Sequence, residues 1–189
     1  MLQAAGVSEQ RAAQNAPLLQ AAADEFGIDT PLELAHWLAQ ICHESGCLRY
    51  VHELWGPTPA QRRYDTRSDL GNTPDADGDG YHNRGVGFLQ YTGEYNIERA
   101  LQRLGYPPDS NENLATPDGA ARSAALFWFD HGLDTVAIRA GKDVKPITRI
   151  INGGYNGLAE RQQYFDRIMT YMAATMLGDQ GNDQQQKPP

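Results

Sequence analysis

The run Thr30-Pro31-Leu32-Glu33 constrains the fold more than any other part of the sequence. A hydroxyl residue followed three positions later by glutamate, with proline at the first helical position, is a capping box that fixes where a helix begins. Behind it, Leu34, Leu38, Ile41 and Ser45 fall on one face with Trp37 beside them, which predicts a buried helix. Gly46 marks its end. Any fold must therefore bury this helix and place His43-Glu44-Ser45-Gly46 at its C-terminal end.

Other helices are punctuated in the same way. Ser8 can cap a helix that runs to about Phe26 and stops at Gly27, and Gly93 to Leu104 reads as another, stopped by Gly105 and Pro107. Thr116-Pro117-Asp118 starts a further helix carrying Ala124, Ala125, Phe127, Trp128 and Phe129, with Trp128 and its neighbours read as core. Pro146 to Asn152 is short, and Leu158 to Met176 is long. Little of the chain alternates with period two, so the expected domain is mainly α, with room for a small hairpin in the loops from Trp55 to Leu89. Loops of that length in a compact domain often carry function. Residues 1–177 read as a single domain, and residues 178–189, polar and proline-ended, as a disordered tail.

Bulk properties exclude several classes. At 189 residues the chain can bury a real core. A formal net charge of -8 argues against a nucleic-acid partner, which needs clustered Lys and Arg. No stretch approaches the roughly 18 apolar residues of a membrane span. Met1 to Gln20 lacks the basic start and apolar run of a secretory signal, so the chain is expected to be made and kept in the cytoplasm, without stable membrane association; it is read as a monomer. Cys42 and Cys47 would be about 7.5 Å apart along a continuous helix, too far for a disulfide. If Gly46 ends the helix first, a bridge is possible, so free and bridged forms both stay open.

Two glutamates stand out chemically. Glu44 falls at a helix C-terminus beside apolar Trp37, where partial desolvation and the carbonyl ends of the helix both favour the protonated form. That suits a general acid. The alternative is an ordinary surface glutamate near a helix end, and His43-Glu44-Ser45-Gly46 alone leaves both open. Glu53, in Val51-His52-Glu53-Leu54-Trp55, is close enough in sequence to face Glu44 across a cleft. Inverting glycoside hydrolysis needs two carboxyls about 6.5–9.5 Å apart, one to protonate the leaving oxygen and one to deprotonate a water. Trp55 or Tyr50 can stack on a sugar or serve as core. Between Tyr81 and Asn96, glycines and apolar residues are interleaved with Gln90, Thr92 and Asn96, which carry the amides and hydroxyl that bind sugar hydroxyls and N-acetyl groups.

The Glu44 segment, Arg84-Gly85-Val86-Gly87-Phe88-Leu89-Gln90-Tyr91-Thr92-Gly93-Glu94-Tyr95-Asn96 and Ile151-Asn152-Gly153-Gly154 occur in that order. Together they resemble the family 19 glycoside hydrolases, known from plant chitinases and bacteriophage endolysins, over about Leu34 to Tyr171. The resemblance implies a lysozyme-like, α-rich fold with a cleft between two lobes, and an inverting mechanism without cofactor or metal. By it, Glu44 matches the general acid and Glu53 the general base as placed in the short endolysin branch. Thr92 matches the hydroxyl residue that helps hold the attacking water. His43, Gln90, Tyr95, Asn96 and Asn152 match substrate-side positions, and Arg161 matches an arginine that orients a catalytic carboxylate. Plant members keep a longer segment between the two glutamates, and Asn156 stands where they have an acidic residue. Plant-type disulfides and a chitin-binding module are absent from the sequence.

The resemblance implies a β-1,4-linked amino-sugar polymer as partner. Peptidoglycan is preferred over chitin because the chain is compact and carries no chitin-binding module. Being partly anionic, peptidoglycan would need a locally neutral or basic cleft on this acidic chain. An endolysin of this kind reaches the wall when a partner such as a holin releases it. A lytic transglycosylase also uses a helix-end glutamate, but needs only one carboxyl, so Glu53 and Thr92 favour hydrolysis. A carbohydrate-binding protein without activity is the non-enzymatic alternative, which the retention of both glutamates disfavours.

Two metal readings compete for the same residues. His43, Cys47 and His52 could form a mixed zinc site, although Cys47 stands where the zinc-protease motif needs its second histidine. Asp75, Asp77 and Asp79 followed by Gly80 open like a calcium loop, but Val86 occupies the place of its closing bidentate glutamate. A solvated turn is the simpler reading there. Arg139, Lys142 and Lys145 read as a solvated basic edge that could meet an anionic polymer.

Overall fold

The capping box closes as the sequence predicts. Thr30 Oγ1 accepts from the Glu33 backbone N–H at 3.2 Å, and the Glu33 carboxylate accepts from the Thr30 N–H at 3.1 Å. The computed structural model describes residues 1–183. Its helices are α1 Glu9–Phe26, α2 Pro31–Glu44, α3 Asp79–His82, α4 Glu94–Leu104, α5 Pro117–Asp130, α6 Leu133–Ala140, α7 Lys145–Asn152 and α8 Leu158–Asp183. Short 3-10 turns lie at Gln61–Arg63, Ser68–Leu70 and Asn111–Ala115, and no strand is formed among the described residues. No helix among them is long and apolar enough to cross a membrane.

α2 is the buried axis of the larger lobe. It packs chiefly on α8, while α1 packs on α5. Trp37, Ile41 and Cys42 from α2 meet Leu19 of α1, Trp128 of α5, Leu133 of α6, Ile147 of α7 and Phe165 of α8 in one cluster. Each large apolar side chain so buried contributes roughly 1.5–3 kcal/mol. A second cluster joins Val86, Ile97, Leu101, Leu104, Leu114 and Leu126 into a smaller lobe built on α4. α5 serves both: Ala124 and Trp128 face the larger cluster, and Leu126 the smaller. The mainly α, two-lobed architecture expected from the sequence is thus observed.

Four details differ from the sequence reading. Ser8 occupies the N-cap position of α1, but its side chain makes no capping hydrogen bond. α6 was not anticipated; Gly132, at φ 57°, breaks what would otherwise continue from α5. The loop from Trp55 to Leu89 holds α3 rather than a hairpin, and the pairing forms at its ends, where antiparallel bridges join His52 to Val86 and Val86 to Tyr91. α8 continues to Asp183, past the Met176 at which the sequence reading ended it, and residues 184–189 of the expected tail lie outside the described residues.

Candidate active site

Glu44 is the last residue of α2, and the chain turns sharply behind it. Gly46, Cys47 and Leu48 all have left-handed backbones, with φ of 58°, 57° and 62°. For the two residues that are not glycine this costs about 1–2 kcal/mol each. Ser45 holds the turn. Its hydroxyl donates to Ile41 O at 2.6 Å and accepts from the Leu48 N–H at 2.8 Å, and its carbonyl accepts from the N–H groups of Arg49 and Tyr50, both at 2.9 Å. The chain therefore doubles back and brings Tyr50, His52, Glu53 and Leu54 into one cleft with Glu44. This cleft of about 800 Å³ is also lined by Tyr64, Leu89, Gln90, Thr92, Asn152 and Asn156.

A buried arginine holds Glu44. Arg161 of α8 is fully buried and donates through Nη2 to Glu44 Oε1, through Nη1 to Gln40 Oε1 at 2.5 Å, and through Nε to the Asn156 carbonyl at 3.3 Å. Gln40, also fully buried, donates onward to Thr148 Oγ1 at 3.3 Å, which ties the set to α7. Arg161 thus meets the carboxylate from behind and has no surface toward a ligand in the cleft. The other carboxylate oxygen of Glu44 makes no hydrogen bond among the described residues.

Glu53 has a different cradle. Gln61 Nε2 donates to its Oε1 at 2.8 Å, and the Gly85 N–H donates to its Oε2 at 3.2 Å. The Glu53 N–H in turn donates to the Gly85 carbonyl at 2.7 Å. Glycine at position 85 lets the backbone pass close to both residues: a Cβ there would lie 2.6 Å from Gln90 Oε1, the end of a flexible side chain, and 3.2 Å from Glu53 Cβ. Tyr64 stands close enough for the Glu53 charge, together with burial as the larger cause, to push its phenol above the usual value.

The remaining residues singled out in the sequence are distributed unevenly. Thr92 lines the cleft and donates its hydroxyl proton to Gln90 O at 3.2 Å, which leaves its lone pairs free. Gln90 is fixed by donation to Gly87 O at 2.7 Å. Asn152 reaches the cleft from the end of α7, with its Oδ1 accepting from the Asn156 N–H at 3.3 Å. Asn96 is tied beneath Thr92, donating to its carbonyl at 2.8 Å. Tyr95 departs from the expected cleft position: it is 72% exposed and lines a separate groove with Gly71, Glu98 and Arg99. His43 departs as well. Its Nδ1 lies 2.5 Å from Glu160 Oε2, and its ring packs on Gly157, where a Cβ would come within 2.0 Å of Cε1. Residue 43 precedes the cleft residue on a helix, so its side chain points to α8.

The competing metal readings do not assemble. His43 pairs with Glu160, His52 with Glu112 at 3.2 Å, and Cys47 approaches the Tyr164 hydroxyl at 3.5 Å, so the three donors look in different directions. Asp77 accepts from Thr73 Oγ1 and Asp79 accepts from the Thr73 N–H, so the acidic loop closes on itself. No cluster of three metal-competent side chains occurs among the described residues. Cys42 and Cys47 are both free thiols. The interaction between the two thiols lowers Cys47 below its ordinary value and raises Cys42, which burial raises further. Trp128 is core, as expected, and Trp55 packs against Tyr64 and Tyr81 with ring centroids 5.9 and 5.6 Å away.

Sequence reasoning missed Gln40 and Gln61. Gln40 carried a signal: it lies one helical turn before Glu44, between Ala39 and Ile41 in a largely apolar stretch, where a buried amide needs partners. Gln61 carried none, because its role depends on how the loop folds back on Glu53.

No protein-family model matches the chain. A Haemophilus influenzae protein described as glycosyl hydrolase family 19 domain-containing is 26% identical over 176 residues, covering 80% of this chain and 86% of the relative. Among solved structures, a bacterial family 19 chitinase superposes with a TM-score of 0.61 at 21% identity, covering 87% of this chain and 93% of the other. Chitinase C from Streptomyces griseus HUT6037 gives a TM-score of 0.61 at 20% identity, covering 87% and 92%.

Proposed function

We propose that this chain, similar in fold and in sequence to family 19 glycoside hydrolases, works as one and hydrolyses β-1,4 bonds between the amino sugars of bacterial peptidoglycan. The observation that carries this reading is the pair of carboxylates in one cleft, each held by donors of its own: Glu44 by Arg161, and Glu53 by Gln61 and the Gly85 N–H. Glu44, with one oxygen engaged by Arg161, uses the other to give a proton to the glycosidic oxygen as the bond to the anomeric carbon breaks. Glu53 takes a proton from a water that attacks the opposite face of that carbon. The Thr92 hydroxyl, whose proton is committed to Gln90 O, accepts the water's second hydrogen and aims it. The anomeric configuration inverts, and the protons balance between the two carboxylates. Gln90, Asn152 and Asn156 supply amides for sugar hydroxyls and N-acetyl groups.

Chitin is the second reading, favoured by the chitinases among the structural neighbours. Purified peptidoglycan and chitin oligomers digested side by side, with the products read by mass spectrometry and fresh products by NMR, separate the two. Muropeptides with ordinary reducing ends and inverted anomers are expected. Anhydro ends would mean a transglycosylase instead, and release of chitin fragments alone would move the substrate to chitin. Glu44→Gln and Glu53→Gln are each expected to lower turnover by about 10²–10⁴, the range for general acid and base groups.

A further inference from the structure

The cleft does not stop at Glu53. A further pocket of about 430 Å³ continues from it, sharing Tyr50, His52, Glu53 and Leu54 and adding Arg49, Trp55, Tyr81 and Arg84. Two arginines therefore border the end of a cleft whose own charged residues are glutamates. Neither makes a salt bridge among the described residues, whereas Arg67, Arg99, Arg103, Arg122 and Arg161 all do. Arg84 lies over the Tyr81 ring, 4.2 Å from its centroid, and donates through Nη1 to the Tyr81 carbonyl at 2.9 Å. That leaves the rest of its guanidinium fork unassigned. Arg49 lies 5.8 Å from the Tyr50 ring centroid. The carboxylate in this pocket, Glu53, has its oxygens occupied by Gln61 and Gly85.

A guanidinium backed by an aromatic ring, with donors left over and no protein acid to pair with, is arranged for a planar anion. Its position fits a substituent on a sugar next to the one being cut. On a chain with formal net charge -8, two unpaired arginines at one end of the cleft give the local basic surface that an anionic polymer requires. We propose that Arg49 and Arg84 form a carboxylate subsite that recognises an acid group hanging from the glycan. This deepens the peptidoglycan reading and rests on it. In that polymer the acid is either the lactyl carboxylate of a muramic unit that carries no peptide or, where the lactyl group is amidated, a carboxylate of the attached peptide. A chitin chain has neither.

The test is binding, so that it does not depend on turnover. In a Glu44→Gln background, affinity is measured by calorimetry for three ligands. These are the neutral N-acetylglucosamine tetrasaccharide, the alternating N-acetylglucosamine–N-acetylmuramic acid tetrasaccharide with free lactyl carboxylates, and the same tetrasaccharide with its lactyl groups amidated by peptides. A charge-assisted contact predicts Kd at least about tenfold lower for a carboxylate-bearing ligand than for the neutral one. That preference shrinks as salt is raised and disappears in Arg49→Gln/Arg84→Gln. If the peptide-free ligand gains affinity, the lactyl group is the source; if only the peptide-bearing one does, the peptide is. The exposed single variant Arg49→Gln, expected to lose part of the preference, replaces the double variant if that one does not fold. Equal affinity for all three ligands, or a preference that survives in the variants, overturns the subsite. Absence of peptidoglycan hydrolysis by the unmodified protein, with the binding preference intact, would instead defeat the hydrolase reading and leave the subsite standing.

Discussion

The side-chain amide of Gln61 donates to the Glu53 carboxylate at 2.8 Å, and the same side chain's carbonyl accepts from the N–H groups of Gly56 at 3.2 Å and Thr58 at 2.8 Å. One residue thus shapes the loop after Glu53 and holds one oxygen of its carboxylate, while the Gly85 N–H holds the other. Gln61 is 5% exposed, so it acts through Glu53 and not on a ligand.

This separates two roles by substitution. Gln61→Glu keeps an oxygen for the Gly56 and Thr58 N–H groups but sets a like charge against Glu53. The expected result is a fall in kcat of about 10- to 100-fold, short of the loss at Glu53→Gln itself. The acidic limb of the kcat/KM profile is expected to move to higher pH, because a second carboxylate disfavours ionisation of its neighbour. Gln61→Ala is expected to lose activity with a lower melting temperature as well. An unchanged pH profile in Gln61→Glu would leave Gln61 with a structural role alone.

Arg161 carries three contacts that a lysine cannot reproduce, since the planar fork reaches Glu44, Gln40 and the Asn156 carbonyl together. Arg161→Met leaves Glu44 without its cation and Gln40 Oε1 buried without a donor. Removing one partner of a buried pair typically costs about 3–5 kcal/mol, and urea denaturation is expected to report a loss of that order. Arg161→Lys is expected to recover part of the stability and little of kcat. Full activity in the lysine variant would show that charge alone, and not the fork, positions Glu44.

Much of this arrangement was legible in the sequence where the signal is local. The capping box at Thr30, the apolar face behind it and Gly46 located α2 and put Glu44 at its end. Gly85 and Gly87 marked close approaches, and the first of them is where Glu53 and Gln90 meet the backbone. What was not legible depends on contacts made after folding. Tyr95 looked like a cleft residue from its place in a motif, but at the first turn of α4 it projects into a different groove. His43 sits beside Glu44 in sequence and faces the other way, because adjacent helical residues point about 100° apart. α6 lacked a clear start signal, since Gly132 supplies a break without a capping side chain.

Gly157 is the counterpart of His43. Its φ is 69°, and an added Cβ would lie 2.0 Å from one ring atom and 2.3 Å from another. Gly157→Ala therefore strains the backbone and expels the imidazole from its place against Glu160, next to Glu44. The expected loss of stability is about 1–3 kcal/mol, the range for a forced backbone conformation. Thermal unfolding measures it. Since the ring moves only when Gly157 is filled, a His43→Ala/Gly157→Ala double variant is expected to lose less than the sum of the singles. Strict additivity would mean that backbone strain, and not the collision, sets the cost.

His36 gives the fold a pH dependence whose sign follows from its burial. The side chain is fully buried against Phe165, with Nε2 2.7 Å from the Gly141 carbonyl and Nδ1 without a partner. Burial lowers its pKa below the ordinary 6.5, against smaller raising effects from the Gly141 carbonyl and the Asp143 charge. As pH falls through 6.5 the unfolded chain takes up a proton that the folded ring resists. In that window the unfolded state binds more protons, so stability rises with pH and is lost as pH drops toward the folded value. The urea midpoint is therefore expected to be flat above neutrality and to decline below about pH 6.5. His36→Gln keeps an N–H for the Gly141 carbonyl but cannot take up the proton, so its midpoint is expected to fall less steeply across the same range. A decline of equal slope in that variant would assign the acid sensitivity to groups other than His36; the Glu25 carboxyl, which Arg122 holds below its usual 4.5, loses its contribution only at still lower pH.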